Sequence, residues 1–374
     1  MSVRVVITGG GTGGHVYPGL AVAEVLTDQD PATEMLFVGG HGLERQIVPR
    51  AGLPFRAVRS AQWPRRGGLR TVAAAAALSA GTVQSAWLLT RIRPHVVLAT
   101  GGYAAAPVGA AAGLLGIPLV LQEQNLIPGA ANRFLARWAR FISVAHPDVA
   151  SRFGGAAVVT GVPVRRAALG GDRRRGLRRY GLGDGRLTIL VLGGSLGAAA
   201  LNAAVTEMAR ALDAPDDFQL LHQTGSDHVA WVEGQTASAP KALTYAAVAY
   251  IDDVADAYAC ADLVISRSGA GTMAEVTAHG LPVIAVPYPH GAAGEQEANA
   301  RILEAAGAAV VITAPALTGV RLAHAVAALR DPQRRQAMAA ASRALGRPNA
   351  AADVAALVWR AAGQGAGNVA QVGG

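Results

Sequence analysis

The chain has 374 residues, half of them apolar and only 16% charged, with 46 glycines and a net charge of +8. That length is too great for one ordinary hydrophobic core and comfortable for two, and the apolar content excludes an intrinsically disordered chain. The positive balance suits an anionic partner: nucleic acid, acidic lipid or a phosphorylated substrate.

The N-terminal MSVRVVITGG runs straight into a strand at 3–8, and no apolar stretch or small-residue cleavage site marks a signal peptide. Further strands are expected at 35–38, 96–99, 118–122, 141–144 and 157–160, separated by Ala-rich helical runs and Gly-rich turns, the pattern of βαβ units in a parallel sheet. Two uncharged runs, 71–90 and 103–122, reach membrane-spanning length. Both are mostly Ala and Gly, and Pro107 and Pro118 break the second, so each is expected as a helix of a soluble fold. After Gly161-Val162-Pro163 comes a basic run, GGDRRRGLRRYGLGDG, whose arginines read as a solvated helix face. A second strand series then begins, at 187–192, 218–223, 244–250, 263–266, 283–286 and 310–312. Cys260, the single cysteine, lies in the apolar stretch YACADLVI; it excludes an internal disulfide and reads as a buried, inert thiol in a reducing cytoplasm.

The halves echo one another. VVLATGGYAAAPVGAAAGLLGIPLVLQE sets out a strand, glycine turn, helix and Gly-x-Pro before the next strand, and LVISRSGAGTMAEVTAHGLPVIAVP repeats that order. Gly116 and Gly280 match as left-handed helix caps, each followed by a proline that prevents continuation. The expected organisation is α/β: two Rossmann-like, doubly wound parallel-sheet domains facing across a cleft, at 1–162 and 163–345. A helix at 346–362 can pack back on the first, and a disordered tail follows at 363–374.

The first βα turn reads GGGTGGH, Gly9 to His15. Glycines let a backbone approach a phosphate closely, and the helix N-terminus offers free N–H groups. Gly9, Gly11 and Gly14 fit the dinucleotide fingerprint, yet the second strand ends Phe37-Val38-Gly39-Gly40 without the ribose-binding acid of an NAD site, and no Lys-Ser or Lys-Thr completes a Walker motif. A purely structural turn stays open. The device recurs at GGSLGA, where Ser195 either donates to a phosphate or caps the helix; its place at the head of a second sheet favours the phosphate. In SRSGAGTMAEVTAHGLPVIAVPYPHGAAGEQEANA a small-residue turn, Ser268 to Thr272, precedes a helix carrying Glu275, and a later loop brings His290, Glu295, Gln296 and Asn299 towards the same sheet end. That clustering suits a nucleotide sugar, with Glu275 accepting from a ribose or simply lying favourably near a helix N-terminus.

GGTGGHVYPGLAVA, GGY (101–103), EQN (123–125), GGSLGA, YIDD from Tyr250 and SRSGAGTMAE with Gln296 together resemble, in order and spacing, the MurG family of GT-B glycosyltransferases. The resemblance runs from Val3 to about Ala362. It implies inverting transfer of N-acetylglucosamine (GlcNAc) from UDP-GlcNAc to the MurNAc 4-hydroxyl of undecaprenyl-pyrophosphoryl-MurNAc-pentapeptide (lipid I), giving lipid II for peptidoglycan at the cytoplasmic face of the plasma membrane. Thr12, Gly13, Gly14 and Asn125 would line the sugar side of the cleft. Arg165 and Ser195 would hold the donor diphosphate, Ile251 backbone would meet uracil, and Ala270, Gly271, Thr272, Met273, Ala274, Glu275 and Gln296 would bind ribose and sugar. Gly10, Gly11, His15, Gly101, Gly102 and Tyr103 belong to the acceptor side. No metal or other cofactor is implied. Two departures stand out: the family's His-Glu-Gln-Asn is Gln122-Glu123-Gln124-Asn125, and its Gly-Asn-Pro-Val-Arg is Gly161-Val162-Pro163-Val164-Arg165. Gln122 cannot act as a base and is expected to preserve hydrogen bonding.

Such a transfer needs a base for the attacking hydroxyl. His15, at the mouth of the glycine loop, has the best unperturbed pKa, unless its role is structural; Glu123 is the rival and would need burial to raise its pKa. Trp63, Arg65, Arg66, Arg70, Trp87, Arg91 and Arg93 flank the run 71–90, combining interfacial aromatics with cations suited to an anionic membrane surface. A nucleotide-sugar epimerase shares the double-sheet plan but needs no lipid acceptor. An NAD oxidoreductase lacks its ribose acid, and no nucleic-acid recognition motif is present among the dispersed arginines.

Overall fold

Runs of Val, Ile and Leu set between alanine-rich helices make strands with two apolar faces, which are stable in parallel sheets covered on both sides. The structure, a computed structural model, describes residues 2–64, 68–194, 197–212, 214–289 and 294–364. Contacts divide the chain into two units, Met1–Arg165 with Pro348–Gly374, and Arg166–Arg347. The division falls between Arg165 and Arg166 rather than after 162, so Arg165 goes with the first unit.

In the first unit, β1 (Arg4–Thr8), β2 (Glu34–Gly39), β3 (Phe55–Ala57), β4 (Val96–Ala99), β5 (Leu119–Glu123), β6 (Ala139–Val144) and β7 (Ala157–Val159) form a sheet ordered β3-β2-β1-β4-β5-β6-β7. Every pairing is parallel. β3 was not expected: three residues after Pro54 at a sheet edge carry no readable alternation. The second unit orders β8 (Leu187–Leu192), β9 (Phe218–Gln223), β10 (Thr244–Val248), β11 (Leu263–Ser266), β12 (Val283–Ala285) and β13 (Ala309–Val311) as β10-β9-β8-β11-β12-β13, again all parallel. In each sheet the strand order reverses once, between β1 and β4 and between β8 and β11. Helices leave opposite faces there, and the loops at the strand carboxyl ends line the crevice where open α/β sheets bind ligands.

The repeat read from sequence has a matching local structure. Gly116 and Gly280 have φ of +67° and +64°. Ile117 N–H donates to Ala112 O and Leu281 N–H to Val276 O, the six-to-one bond of a Schellman cap.

The helix Ala350–Ala361 returns to the first unit, where Val354, Ala355, Leu357, Val358 and Trp359 join a core with Val5, Leu20 and Phe37. Trp359 Nε1 donates to Gln29 Oε1 at 2.7 Å. Each fully buried aliphatic of that helix contributes about 1.5–3 kcal/mol.

The arginine run after Gly171 is a helix, Arg173–Arg179, but not merely a solvated face. Arg175 grips the buried Asp256 through Nε (2.5 Å) and Nη2 (2.6 Å), and Asp256 also accepts from the Asp172 N–H at 2.8 Å. Arg173 donates to Cys260 O at 2.8 Å and pairs with Asp262. Burial pushes the Cys260 thiol up to about 11, keeping it protonated and unreactive. The Arg175 hydrogen bonds hold Asp256 below its ordinary 3.8. A carboxylate depressed by folding stabilises above its unfolded pKa, and that contribution disappears as pH falls through the folded value. Asp256→Asn should therefore lower the melting temperature at pH 7, with the gap to the unmodified protein narrowing below pH 4 in thermal unfolding followed against pH.

Candidate active site

In the first unit the turn after β1 and the turn after β4 interlock. The helix Gly13–Gln29 begins inside the glycine run, and His15 lies in its first turn, half-buried, with Nδ1 2.9 Å from Thr12 Oγ1. Thr100 Oγ1 donates to His15 O, tying the start of that helix to the end of β4. Gly102 has φ of +79°, and a Cβ there would stand 2.0 Å from Gly10 O, so only glycine admits this approach of two backbones. A Cβ on Gly101 would stand 2.9 Å from His15 Cδ2 and 3.4 Å from Nε2; its absence leaves the outer edge of the imidazole open. The Tyr103 ring packs beside Gly11. Gly10, Gly11, Thr12, Gly13, Gly14, His15, Gly101, Gly102 and Tyr103 are thus brought together at the switch point of the first sheet. Burial draws His15 down to about 4, against a smaller upward pull from the Glu44 carboxylate, so the imidazole is neutral at physiological pH.

Two buried carboxylates organise these loops through backbone donors. Glu44 Oε1 accepts from Gly40 N (2.9 Å) and Gly42 N (3.3 Å), and Oε2 from Gly11 N (3.1 Å). It is fully buried beneath the first glycine turn, a role that sequence reading missed. Glu123, at the end of β5, accepts from Asn125 N (3.0 Å), Gly129 N (2.9 Å) and Asn132 Nδ2 (3.0 Å). These three donors tie Glu123 to the loop that carries Asn125. Gln122 does not keep the expected hydrogen bonding: its carboxamide is buried with no partner among the described residues. Arg165, expected with the donor diphosphate, lays its guanidinium over Tyr17 at 4.2 Å within the first unit.

In the second unit the turn after β8 and the turn after β11 flank the switch point. Gly193 and Gly194 lead towards the helix Ala199–Ala211, while Ser195 lies outside the described residues, as do His290 and the arginines at 65 and 66. After β11 the helix Ala270–Ala278 starts at Gly269 and presents Ala270, Gly271, Thr272, Ala274 and Glu275 partly exposed. Met273 differs: its side chain is buried in the core, leaving only its backbone for a ligand. Tyr258 OH donates to Glu275 Oε2 at 2.8 Å, orienting the carboxylate, and burial raises the Tyr258 pKa well above its ordinary value. Gln296, on the helix Glu295–Ala305, accepts at Oε1 from Tyr288 N (3.0 Å) and at its carbonyl from Ser268 Oγ (2.8 Å), joining two loops at one sheet end. Ile251, two strands away after β10, has its N–H held by Gln223 Oε1 at 3.0 Å.

One further cation was not singled out from sequence. Arg267 follows β11 directly, its backbone N–H reaching Leu192 O beside the glycine turn. Its guanidinium lies over Tyr288 at 4.8 Å, and Nε is buried with no partner among the described residues. Its signal was the lone positive charge in a small-residue strand end.

Two family models cover most of the chain: the glycosyltransferase family 28 N-terminal domain matches residues 5–144 and the C-terminal domain of that family residues 188–355. The chain is 43% identical to the UDP-N-acetylglucosamine–N-acetylmuramyl-(pentapeptide) pyrophosphoryl-undecaprenol N-acetylglucosamine transferase of Desulforudis audaxviator, over 97% of this chain and 100% of that one. It is 42% identical to the transferase of the same name from Moorella thermoacetica, over 93% and 96%. Among solved structures, MurG of Acinetobacter baumannii superposes with a TM-score of 0.79 at 30% identity, covering 96% of this chain and 99% of that one. The two parallel-sheet domains are those of a GT-B glycosyltransferase. The chain belongs to glycosyltransferase family 28, among its MurG-type N-acetylglucosamine transferases.

Proposed function

We propose that this enzyme moves GlcNAc from UDP-GlcNAc to the MurNAc 4-hydroxyl of undecaprenyl-pyrophosphoryl-MurNAc-pentapeptide, with inversion at the anomeric carbon, to complete the lipid-linked peptidoglycan precursor. The observation that carries the reading is that each switch point gathers one half of the family's motif residues: the His15 and Tyr103 turns in the first unit, the Gly193 and Ala270 turns in the second. The first unit takes the acceptor and the second the donor. The acceptor O4 forms a bond to the anomeric carbon as the bond from that carbon to the diphosphate oxygen breaks, and UDP departs with the electron pair.

The proton of the attacking hydroxyl goes to His15. In the tautomer whose Nδ1–H donates to Thr12 Oγ1, Nε2 is the bare nitrogen that takes the proton, and the missing Cβ of Gly101 leaves it approachable. Charge on the departing diphosphate is met by glycine-turn N–H groups, Ser195, Arg267 and Arg165. Glu275, oriented by Tyr258, accepts from ribose, Ile251 backbone meets uracil, and Gln296 and Asn125 contact sugar hydroxyls. Labelled UDP-GlcNAc incubated with and without lipid I separates the readings. Label entering lipid only when lipid I is present is the expected result; epimerised nucleotide sugar without transfer would overturn it. His15→Ala should cut kcat by about 10²- to 10⁴-fold while leaving UDP-GlcNAc affinity within about twofold. Because His15 is already neutral at pH 6, the acid limb of kcat/KM should fall well below the ordinary histidine value of 6.5; near-normal turnover in the variant removes the assignment.

A lipid acceptor calls for a membrane-facing surface on the first unit. The helix Leu69–Ile92 is long and apolar enough to cross a membrane, with 22% of its most apolar window buried. Ala74, Gly81, Ser85 and Leu89 form its buried face, and Gly81 sits against Arg59 O. The opposite stripe exposes Val72, Val83 and Trp87, with Arg91 over the Trp87 ring at 4.3 Å. A helix seated on its own unit by one face and apolar on the other suits reversible docking in the interface, peripheral at the cytoplasmic face. Basic residues near an anionic surface contribute about 1 kcal/mol each. Reversing Arg65, Arg66 and Arg70 to Glu together should reduce co-sedimentation with phosphatidylglycerol vesicles severalfold, as should Trp87→Ser alone. Unchanged sedimentation in both overturns the docking surface.

A further inference from the structure

We infer that Gln223 is a positioning residue for the nucleotide, clipping together the two backbone segments that hold its diphosphate and its base. The inference rests on the donor reading above and adds a residue to it. Gln223 is the last residue of β9, the strand between β8 and β10, and its side chain is buried. Its carboxamide is used at both ends: Nε2 donates to Gly194 O at 3.1 Å, in the turn after β8, and Oε1 accepts from Ile251 N at 3.0 Å, in the loop after β10. No other side chain among the described residues bonds to both segments.

The neighbouring bonds show what the clip adds. Thr224 N donates to Val248 O at 2.9 Å and Gly225 N to Ala249 O at 3.1 Å, so the β9 and β10 ends are already zipped. Asn202 Nδ2 donates to Thr224 O at 2.8 Å and seats the helix Ala199–Ala211 on the same corner. Those contacts hold the strand ends and the helix. The spacing between Gly194 and Ile251 themselves runs through one carboxamide, with the donor and the acceptor in the only orientation that satisfies both.

A ligand that spans two subsites gains from their being preset, because ordering one loop relative to the other is then not charged against its binding. UDP touches both segments; uridine touches only the base side. A clip therefore acts on UDP more than on uridine, whereas loss of general stability weakens both alike.

The full-length enzyme carrying Gln223→Ala, and separately Gln223→Met, tests this by calorimetric binding of UDP and competitive binding of uridine, with KM measured for both substrates. Expected are about a tenfold loss of UDP affinity and an equal rise in donor KM, with uridine affinity within about twofold, acceptor KM unchanged and kcat within about threefold. Equal weakening of UDP and uridine, or UDP affinity unchanged in a folded variant, overturns the inference. If neither variant folds, amide exchange on the unmodified enzyme decides: the Ile251 amide should be protected before nucleotide is added, and fast exchange there overturns the clip. Failure of the unmodified enzyme to bind UDP at all would instead count against the donor reading.

Discussion

The contact on which the first unit's chemistry depends is one between two backbones, where Gly10 O and Gly102 meet at a distance no side chain would permit. It joins the turns after β1 and β4 across the sheet's switch point and places His15 against Gly101. A methyl group at Gly102 would press the two turns apart and separate the imidazole from the surface that approaches it. The glycine runs thus serve two ends: they expose N–H groups, and they allow two loops from distant parts of the chain to share one small space.

Loops made of glycine gain little from side-chain packing, and both units answer that with buried polar anchors. Glu44 and Glu123 bind loop N–H groups in the first unit; Gln223, Asn202 and the Ser268–Gln296 contact hold loops in the second. The negative field of Glu44 also raises the proton affinity of His15, opposing the larger effect of burial. The glycine loop and His15 are therefore linked through one buried acid, and the same acid adds to the upward shift of Tyr103.

The second unit places its polar groups in a different balance. Among the described residues, the Asp256 carboxylate is paired with Arg175, and Asp262, just before β11, is paired with Arg173 and accepts from Thr188 N. At the carboxyl end, Arg267 Nε has no hydrogen-bond partner among the described residues and its guanidinium lies over Tyr288, while Glu275 is steered by Tyr258.

Strand positions, the parallel sheets, the repeated strand-turn-helix-cap unit and the glycine turns were legible in the sequence because each depends on local period, turn chemistry and apolar runs. β3 was not, since three residues at an edge carry no period. Nor was the buried face of Met273, whose neighbours in sequence all read as ligand-facing. The site's supporting residues were harder still: Glu44, Gln223 and Arg267 look like ordinary polar residues until the sheet order is known. The three donors that Glu123 accepts from come from residues up to nine positions away. By itself the sequence determined the family, the two sheets and the glycine-turn motifs at the strand ends. The tertiary structure decided which polar groups are spent on holding loops and which remain for chemistry, because that division depends on where each buried donor finds its acceptor, and such partners lie far apart along the chain.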